Sequence, residues 1–374
     1  MPAMRISIPR IDYVPKLPPS LAVSADEAAD RLATFLDKGK GKAKEGAEGA
    51  GTVLLCGAGV SVDSGIRAYR GKGGSYNVNK SYRPIFFHEF VADHYFRQRY
   101  WARSYLGYPP VQKAKANKTH FAIAALEYMG YLKPGIITQN VDRLQHKAIS
   151  HKKAERIIQE LHGSLKHVHC LKCGTSLDRD DVQEELSRLN PEWWDYLNDN
   201  IRNGTEPKTN PDGDVDLQGR SYETFTPPPC PNPRCTDGIL KPSVIFFGEN
   251  IPPADKKRAE STVREADQML LVGTSLATYS AYRLLKQAHE AKKDVAMVNV
   301  GTSRGDDLVP NDMRFSLGSS DVLTRVALLL SNGKEKQDPV LDNLLRSGIM
   351  EPVIDKQRPG NADGAAGEHV VNPQ

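Results

Sequence analysis

The sequence predicts an α/β fold, a parallel sheet with helices on both faces, interrupted by a small inserted metal-binding module. Three observations predict it. Short apolar runs at 52–56, 131–138, 268–273 and 295–301 alternate with helical stretches such as 277–292, and such alternation implies parallel strands covered on both faces. The rhythm stops between about residues 165 and 245, where little periodicity is left. That same segment holds four of the five cysteines, as the pairs Cys170/Cys173 and Cys230/Cys235.

The 374 residues allow one large core and a second, smaller domain. With 39% hydrophobic and 26% charged residues the composition is that of an ordinary soluble protein, and a net charge of +4 argues for neither nucleic acid nor an anionic membrane as a direct partner. No run approaches the ~18 apolar residues of a membrane-spanning helix. Residues 1–25 read as an extended, proline-rich lead. Arg5, Arg10 and Lys16 against Asp12 suit a mitochondrial transit peptide, whereas five prolines disfavour the amphipathic helix such a peptide forms, and no apolar region of a secretory signal is present. A helix is expected from Ser24, a cap followed by Asp26 and Glu27, to about Asp37. The Lys/Gly/Ala run at 38–51 reads as a flexible, solvated insertion. The large domain is expected at 26–164 and 241–333, the inserted module with its polar stretch at 165–240, and a largely disordered tail at 334–374.

After the first strand comes Gly57-Ala58-Gly59, continuing to Ser64-Gly65. Glycines there permit a tight turn and close approach of backbone amides to a pyrophosphate, which a helix start also attracts. The spacing is not that of the dehydrogenase fingerprint, and no acid follows about 20 residues on, which argues against ordinary hydride transfer. Alone, the turn is equally well explained as a tight turn without a ligand.

The cysteines are spaced C-x2-C and C-x4-C, two short knuckles that together offer four thiolates in a tetrahedron, the preference of zinc. A closed four-sulfur site leaves no open position, so the metal is structural. Five cysteines in a long chain do not make a disulfide framework. Cys56, ending a strand, reads as a small core residue.

Thr138-Gln139-Asn140-Val141-Asp142 follows a strand and therefore lies at the carboxyl edge of the sheet, where open α/β folds bind ligands. Its amides and carboxylate suit ribose hydroxyls and a carboxamide, and equally a polar helix cap. His162, before Gly163, is either a satisfied core histidine or a general base. The residues alone leave both open.

Together these pieces resemble the sirtuin family. The resemblance is carried by GAGVSVDSG (57–65), Tyr69-Arg70, TQNVD (138–142), LHG (161–163), the cysteine pairs, KPSVIFFGE (241–249), GTSLATYSAYRLL (273–285) and VNVGTSRGDD (298–307), in family order over about 250 residues. RQRYWARSYLGYP (97–109), LNPEWW (189–194) and PDGDVDL (211–217) look in particular like the class II, mitochondrial lipoamidase/ADP-ribosyltransferase-type branch. The resemblance implies a Rossmann-like domain that binds NAD as co-substrate, a small domain with one structural zinc, and acyl-lysine entering between them. It implies that the acyl oxygen attacks the anomeric carbon of NAD as nicotinamide leaves, that His162 activates a ribose hydroxyl, and that lysine and acyl-ADP-ribose are released. Matched residue by residue, Gly57, Ala58, Gly59, Ser64, Gly65, Tyr69 and Arg70 should line the phosphate and nicotinamide side, and Gln139, Asn140, Val141 and Asp142 the ribose and carboxamide. Gly273, Thr274, Ser275, Asn299, Val300 and Gly301, with Ser319, should hold the adenosine half. Val244, Phe246, Phe247 and Gly248 should pair with the substrate backbone, and Cys170, Cys173, Cys230 and Cys235 should bind the zinc.

The family's Gly-Ile-Pro-Asp-Phe/Tyr-Arg reads here as Gly65-Ile66-Arg67-Ala68-Tyr69-Arg70, so Ala68 removes an expected carboxylate and puts turnover in question. Tyr100 and Arg103 fit the Tyr-x-x-Arg arrangement of class members that take acyl groups ending in carboxylate, and i, i+3 spacing on a helix puts phenol and guanidinium on one face. A longer or acidic acyl group is therefore expected to be preferred over acetyl. Mono-ADP-ribosyl transfer from the same NAD site and a weakly active NAD-binding regulator are the competing readings. Acylated-lysine proteins are the expected partners, the mitochondrial matrix the expected compartment and a monomer the expected state.

Overall fold

The computed structural model describes residues 23–41, 51–71, 73–79, 82–149, 151–205, 209–215, 217 and 220–348. Numbered in chain order, its strands are β1 (Thr52–Cys56), β2 (Ile136–Thr138), β3 (Ile158–Glu160), β4 (Gly163–Cys170), β5 (Ser176–Asp178), β6 (Leu240–Val244), β7 (Gln268–Val272), β8 (Asp294–Val298) and β9 (Arg314–Phe315). Six of them form a sheet in the order β3-β2-β1-β7-β8-β9, and every pair is parallel. This is the Rossmann order, which reverses its winding between β1 and β7 and opens a crevice there at the carboxyl ends.

Side chains on a strand alternate between faces, and here both faces are covered, which is why β1 runs apolar from Val53 to Cys56. Leu54 and Cys56 enter one core with the helices Ala25–Gly41, Lys118–Tyr128 and Ser319–Ser331. Val53 and Leu55 enter the other with the helices Pro253–Glu265 and Tyr279–Glu290. A third core belongs to a second lobe built on the antiparallel sheet β5-β4-β6. The lobes join where Gly163 of β4 pairs with Val244 of β6, immediately after His162.

Several boundaries differ from the sequence reading. Tyr100, Trp101, Tyr105 and Leu106 of the helix His94–Lys113 pack in the second-lobe core with Val168, Leu186 and Trp193, not with the large sheet. The cysteine module also holds two amphipathic helices, Arg179–Leu189 and Pro191–Asn203, whose buried residues are only Arg179, Val182 and Leu186 on the first and Trp193 and Leu197 on the second. So few apolar anchors hide in a polar sequence. The first helix starts as expected, with the Glu27 amide donating to Ser24 Oγ at 3.1 Å, but runs to Gly41, so the first residues of the expected insertion are helical. Residues 42–50 and the lead 1–22 lie outside the described residues. The apolar run at 131–138 becomes a strand only at Ile136, because Pro134 has no amide hydrogen to give a ladder. The expected tail folds as far as the helix Pro339–Arg346, which is capped by Asp338 and buries Leu341; residues 349–374 lie outside the described residues. Among the described residues, no helix is long and apolar enough to cross a membrane.

Candidate functional site

Parallel strands bring their following residues to one edge. Gly57 follows β1, Gln139 follows β2, His162 comes just after β3, Gly273 follows β7 and Asn299 follows β8. Gln139 ties them together. Its amide donates to Cys56 O (3.0 Å), and its side-chain Nε2 donates to Cys56 O (3.1 Å) and to Thr274 Oγ1 (2.8 Å). Its carbonyl lies 3.2 Å from His162 Nδ1. His162 thus stands beside the glycine turn. A carbonyl can only accept, so Nδ1 carries the hydrogen and Nε2 the lone pair. Burial lowers the His162 pKa to about 4, opposed by the Gln139 carbonyl, so the imidazole is neutral near pH 7.

Residues Ala58–Ser64 form a 3-10 helix. The amides of Gly57, Gly59 and Val60 donate to Val272 O, Gly273 O and Gly57 O. The glycines mainly serve loop packing. A Cβ on Gly59 would meet Gly273 O at 2.7 Å, and Gly273 itself has φ +58 and Val60 N 2.7 Å from a built Cβ.

Under this turn lies a buried polar cluster. Ser61 Oγ donates to Asp142 Oδ2 (2.7 Å) and accepts from Asn140 Nδ2 (3.1 Å), and Asp142 Oδ1 also accepts from Leu144 N (2.9 Å). Burial raises the Asp142 carboxyl. Val141 is buried against the second-lobe core. Three hydroxyls along the same sheet edge, on Ser64, Thr278 and Thr302, are buried and unpartnered, as a site built for a polyhydroxylated ligand requires.

Tyr69 stacks on Tyr76 (5.9 Å), and the Arg70 guanidinium lies 5.2 Å from the Tyr76 ring. This loop is fastened to the polar insert, since Arg67 N donates to Thr209 O (3.2 Å) and Ser75 Oγ to Asn210 Oδ1 (2.7 Å). Ala68 contributes its carbonyl to Ser75 N (2.9 Å). Gly65 ends the 3-10 helix. On the other side, Ser275 O accepts from Arg304 N (2.9 Å), Asn299 Nδ2 donates to Gly301 O (3.2 Å), and Val300 is exposed. Ser319 Oγ lies 3.0 Å from Thr119 Oγ1, and its neighbour Ser320 bonds Asp63, so Ser319 borders the 58–64 segment.

β6 is an edge strand, open on the side away from β4. The segment after it is held by Lys241, whose ammonium donates to Pro242 O (3.0 Å) and Val244 O (2.7 Å) and pairs with Glu249 at 3.1 Å. Glu249 in turn accepts from Phe246 N (2.8 Å), and Phe247 O accepts from Phe87 N (2.9 Å). Gly248 completes this turn. Lys241→Met leaves Glu249 without its counter-ion and should lower stability by about 3 kcal/mol in denaturant titration; a loss below about 1 kcal/mol would show the pair to be incidental.

Tyr100 and Arg103 do share a buried helix face, yet Arg103 is already neutralised. It pairs with Asp214 at 2.8 Å and donates to Val215 O at 2.9 Å. Tyr100 packs on Phe246 (4.9 Å) and Phe90 (5.5 Å). The guanidinium expected to meet an acyl carboxylate thus already has a carboxylate beside it. The partner lay in the PDGDVDL insert, which carries no local sign of the pairing.

The four Sγ atoms of Cys170, Cys173, Cys230 and Cys235 all lie within 4.8 Å of one another, with Cys170–Cys235 at 3.7 Å and Cys173–Cys230 at 3.6 Å. Zn–S bonds of about 2.3 Å in a tetrahedron put sulfurs about 3.8 Å apart, so the set fits one zinc. A Cβ on Gly238 would sit 2.6 Å from Cys235 Sγ and 2.8 Å from Cys170 Sγ, so only glycine leaves the sulfurs room. Cys56 is the core residue expected, its thiol pushed up to about 12 by burial.

The sequence pattern of the Sir2 family matches residues 57–280. The NAD-dependent protein deacylase SIR4 of Batrachochytrium dendrobatidis is 43% identical over 304 residues, covering 80% of this chain and 94% of that protein. The NAD-dependent protein deacylase SRT2 of Arabidopsis thaliana is 40% identical, covering 73% and 71%. Among solved structures, a Sir2 protein with a p53 peptide and NAD+ superposes with a TM-score of 0.56 at 24% identity, covering 80% of this chain and 97% of the other. A structure of Sir2Tm bound to a propionylated peptide gives the same TM-score at 23% identity, covering 80% of this chain and 97% of the other.

Proposed function

This chain belongs to the Sir2 family, and from that premise we propose that it is an NAD-dependent protein-lysine deacylase in which His162 is the general base. The observation that carries the reading is the position of His162. A neutral imidazole, its hydrogen on Nδ1 and its lone pair on Nε2, stands at the crevice of the sheet and at the junction of the two lobes. Bound NAD would supply an anomeric carbon with nicotinamide as leaving group and ribose hydroxyls beside it. Gln139, Asn140 and Asp142 hold the ribose and carboxamide end, with Ser64 and Thr278 offering unpartnered hydroxyls. The open edge of β6 and the Phe246–Phe247 segment take the peptide backbone as an added strand. The acyl oxygen would bond the anomeric carbon as nicotinamide leaves; His162 Nε2 would accept the proton of the neighbouring ribose hydroxyl as that oxygen bonds the acyl carbon, the lysine nitrogen would depart with a proton, and water would free the acyl group from the anomeric carbon. In sum, acyl-lysine, NAD and water give lysine, acyl-ADP-ribose and nicotinamide.

The acyl preference is part of the proposal. The class II resemblance supports a longer acyl group over acetyl, and the Arg103–Asp214 pair speaks against a terminal carboxylate. Glutaryl-lysine should be a poor substrate for the wild type, because the Arg103 guanidinium is held by Asp214 at 2.8 Å. A peptide panel carrying acetyl, lipoyl, methylglutaryl and glutaryl groups, with NAD and mass detection of products, tests both statements. Acyl-ADP-ribose supports deacylation; ADP-ribosylated protein without it would favour transferase chemistry. Fast acetyl turnover with no response to chain length would remove the longer-acyl preference. The mitochondrial matrix and a monomeric state remain proposals that rest on the resemblance and the basic lead.

A further inference from the structure

His162 Nε2, the nitrogen the mechanism needs, already has a partner. Ser280 Oγ lies 2.8 Å from it. Ser280 is in the first turn of the helix Tyr279–Glu290, which follows β7 and the Gly273–Thr274 turn. The helix is twelve residues long, so its start carries a partial positive charge, which disfavours an imidazolium nearby. With the Gln139 carbonyl 3.2 Å from Nδ1 and the Ser280 hydroxyl 2.8 Å from Nε2, the assignment that satisfies both puts the hydrogen on Nδ1 and has the Ser280 hydroxyl donate to Nε2, the shorter of the two contacts.

We propose that Ser280 is a positioning residue for His162. Its hydroxyl and the Gln139 carbonyl grip the two ring nitrogens from opposite sides and fix the Nδ1–H tautomer, with the Nε2 lone pair aimed into the crevice. This inference rests on the deacylase reading and deepens it. Nε2 accepts from one hydroxyl at a time, Ser280 in the free protein and the ribose hydroxyl once NAD is bound, so the base is set before its substrate arrives. The grip is not an electrostatic trap. Charged groups on neighbouring elements are engaged elsewhere, Glu160 with Arg143, Asp142 with Ser61, Glu249 with Lys241 and Arg283 with Glu260. Burial, and no charged neighbour, lowers the His162 pKa.

The test reads the ring directly. In protein carrying 15N-labelled histidine, the His162 signals are identified by their absence in His162→Gln, and their shifts report the tautomer. The wild type should show the Nδ1–H form, and Ser280→Ala should populate the Nε2–H form usual in water while kcat for acyl transfer falls about tenfold. Ser280→Thr, which keeps a hydroxyl, should restore both. A loss of rate from mere damage to the helix start would lower the melting temperature and leave the tautomer unchanged. An Nε2–H wild type, or an unchanged tautomer in Ser280→Ala, overturns the inference whatever the activity. A tautomer shift in Ser280→Ala, beside a wild type that makes no acyl-ADP-ribose, keeps the positioning role and removes the deacylase reading instead.

Discussion

Cys170→Ser is expected to unfold the second lobe and to abolish stoichiometric zinc binding while the large sheet stays folded. The four sulfurs come from two distant chain segments, 170–173 and 230–235, so one ion would tie together the hairpins that otherwise meet through the β4–β6 pairing and the Leu171 N to Ile239 O bond. Cys170 also belongs to the second-lobe core, with Val168, Leu240 and the aromatic side chains Trp193 and Phe225, and Cys230 and Cys235 pack against it. A structural zinc contributes its binding free energy to folding, about 10–16 kcal/mol for isolated zinc-finger peptides, as much as a domain's whole net stability of about 5–15 kcal/mol. The cores on the two faces of the parallel sheet share no residue with that of the second lobe, so the loss should be local. A chelator should act on the wild type in the same way. The checks are metal content by atomic absorption, cleavage between residues 163 and 244 by a limiting protease, and unfolding that changes from one transition to two. A chelated protein that keeps its protease resistance and its single transition would show that the sulfurs do not hold the lobe.

How much of this was legible in the sequence depends on how far apart the meaning of a residue is decided. The glycine turn, TQNVD and the cysteine pairs are local patterns with local causes, and the structure brings them together at one sheet edge and in one four-sulfur cluster. Short strands such as β3, three residues long, fall below the length at which alternation can be seen. Pairings across the fold are invisible to any window. Arg103 meets Asp214 from 111 positions away in number, and a helix-face argument on Tyr100 and Arg103 could not reveal that its charge was already answered. The same holds for Ser280, a plain serine in a helix start until β7 delivers it to His162. His120, buried beside Ser61 with its pKa lowered to about 3, carried no sequence signal at all.

His162→Gln should lower the rate of acyl transfer by a factor of about 10²–10⁴, the usual contribution of a positioned base, while calorimetry finds NAD binding retained. Glutamine keeps a polar side chain against Gln139 O and Ser280 but cannot take up a proton, so the fold and the crevice persist. Acid titration separates this from a structural loss. A histidine held neutral by burial, at about 4 against 6.5 when unfolded, adds stability that is present above pH 6.5 and is lost as pH falls through 4, because the unfolded chain takes up the proton first. Wild type should therefore lose more stability than His162→Gln between pH 6.5 and 4, whereas its acyl transfer should persist to the acid side of neutrality because the base is still unprotonated there. Nicotinamide release and acyl-ADP-ribose formation, followed together across that range, give the rate; urea titration gives the stability. If the variant turns over within twofold of wild type, the base is elsewhere, and the imidazole at the lobe junction is a buried histidine satisfied by its two neighbours.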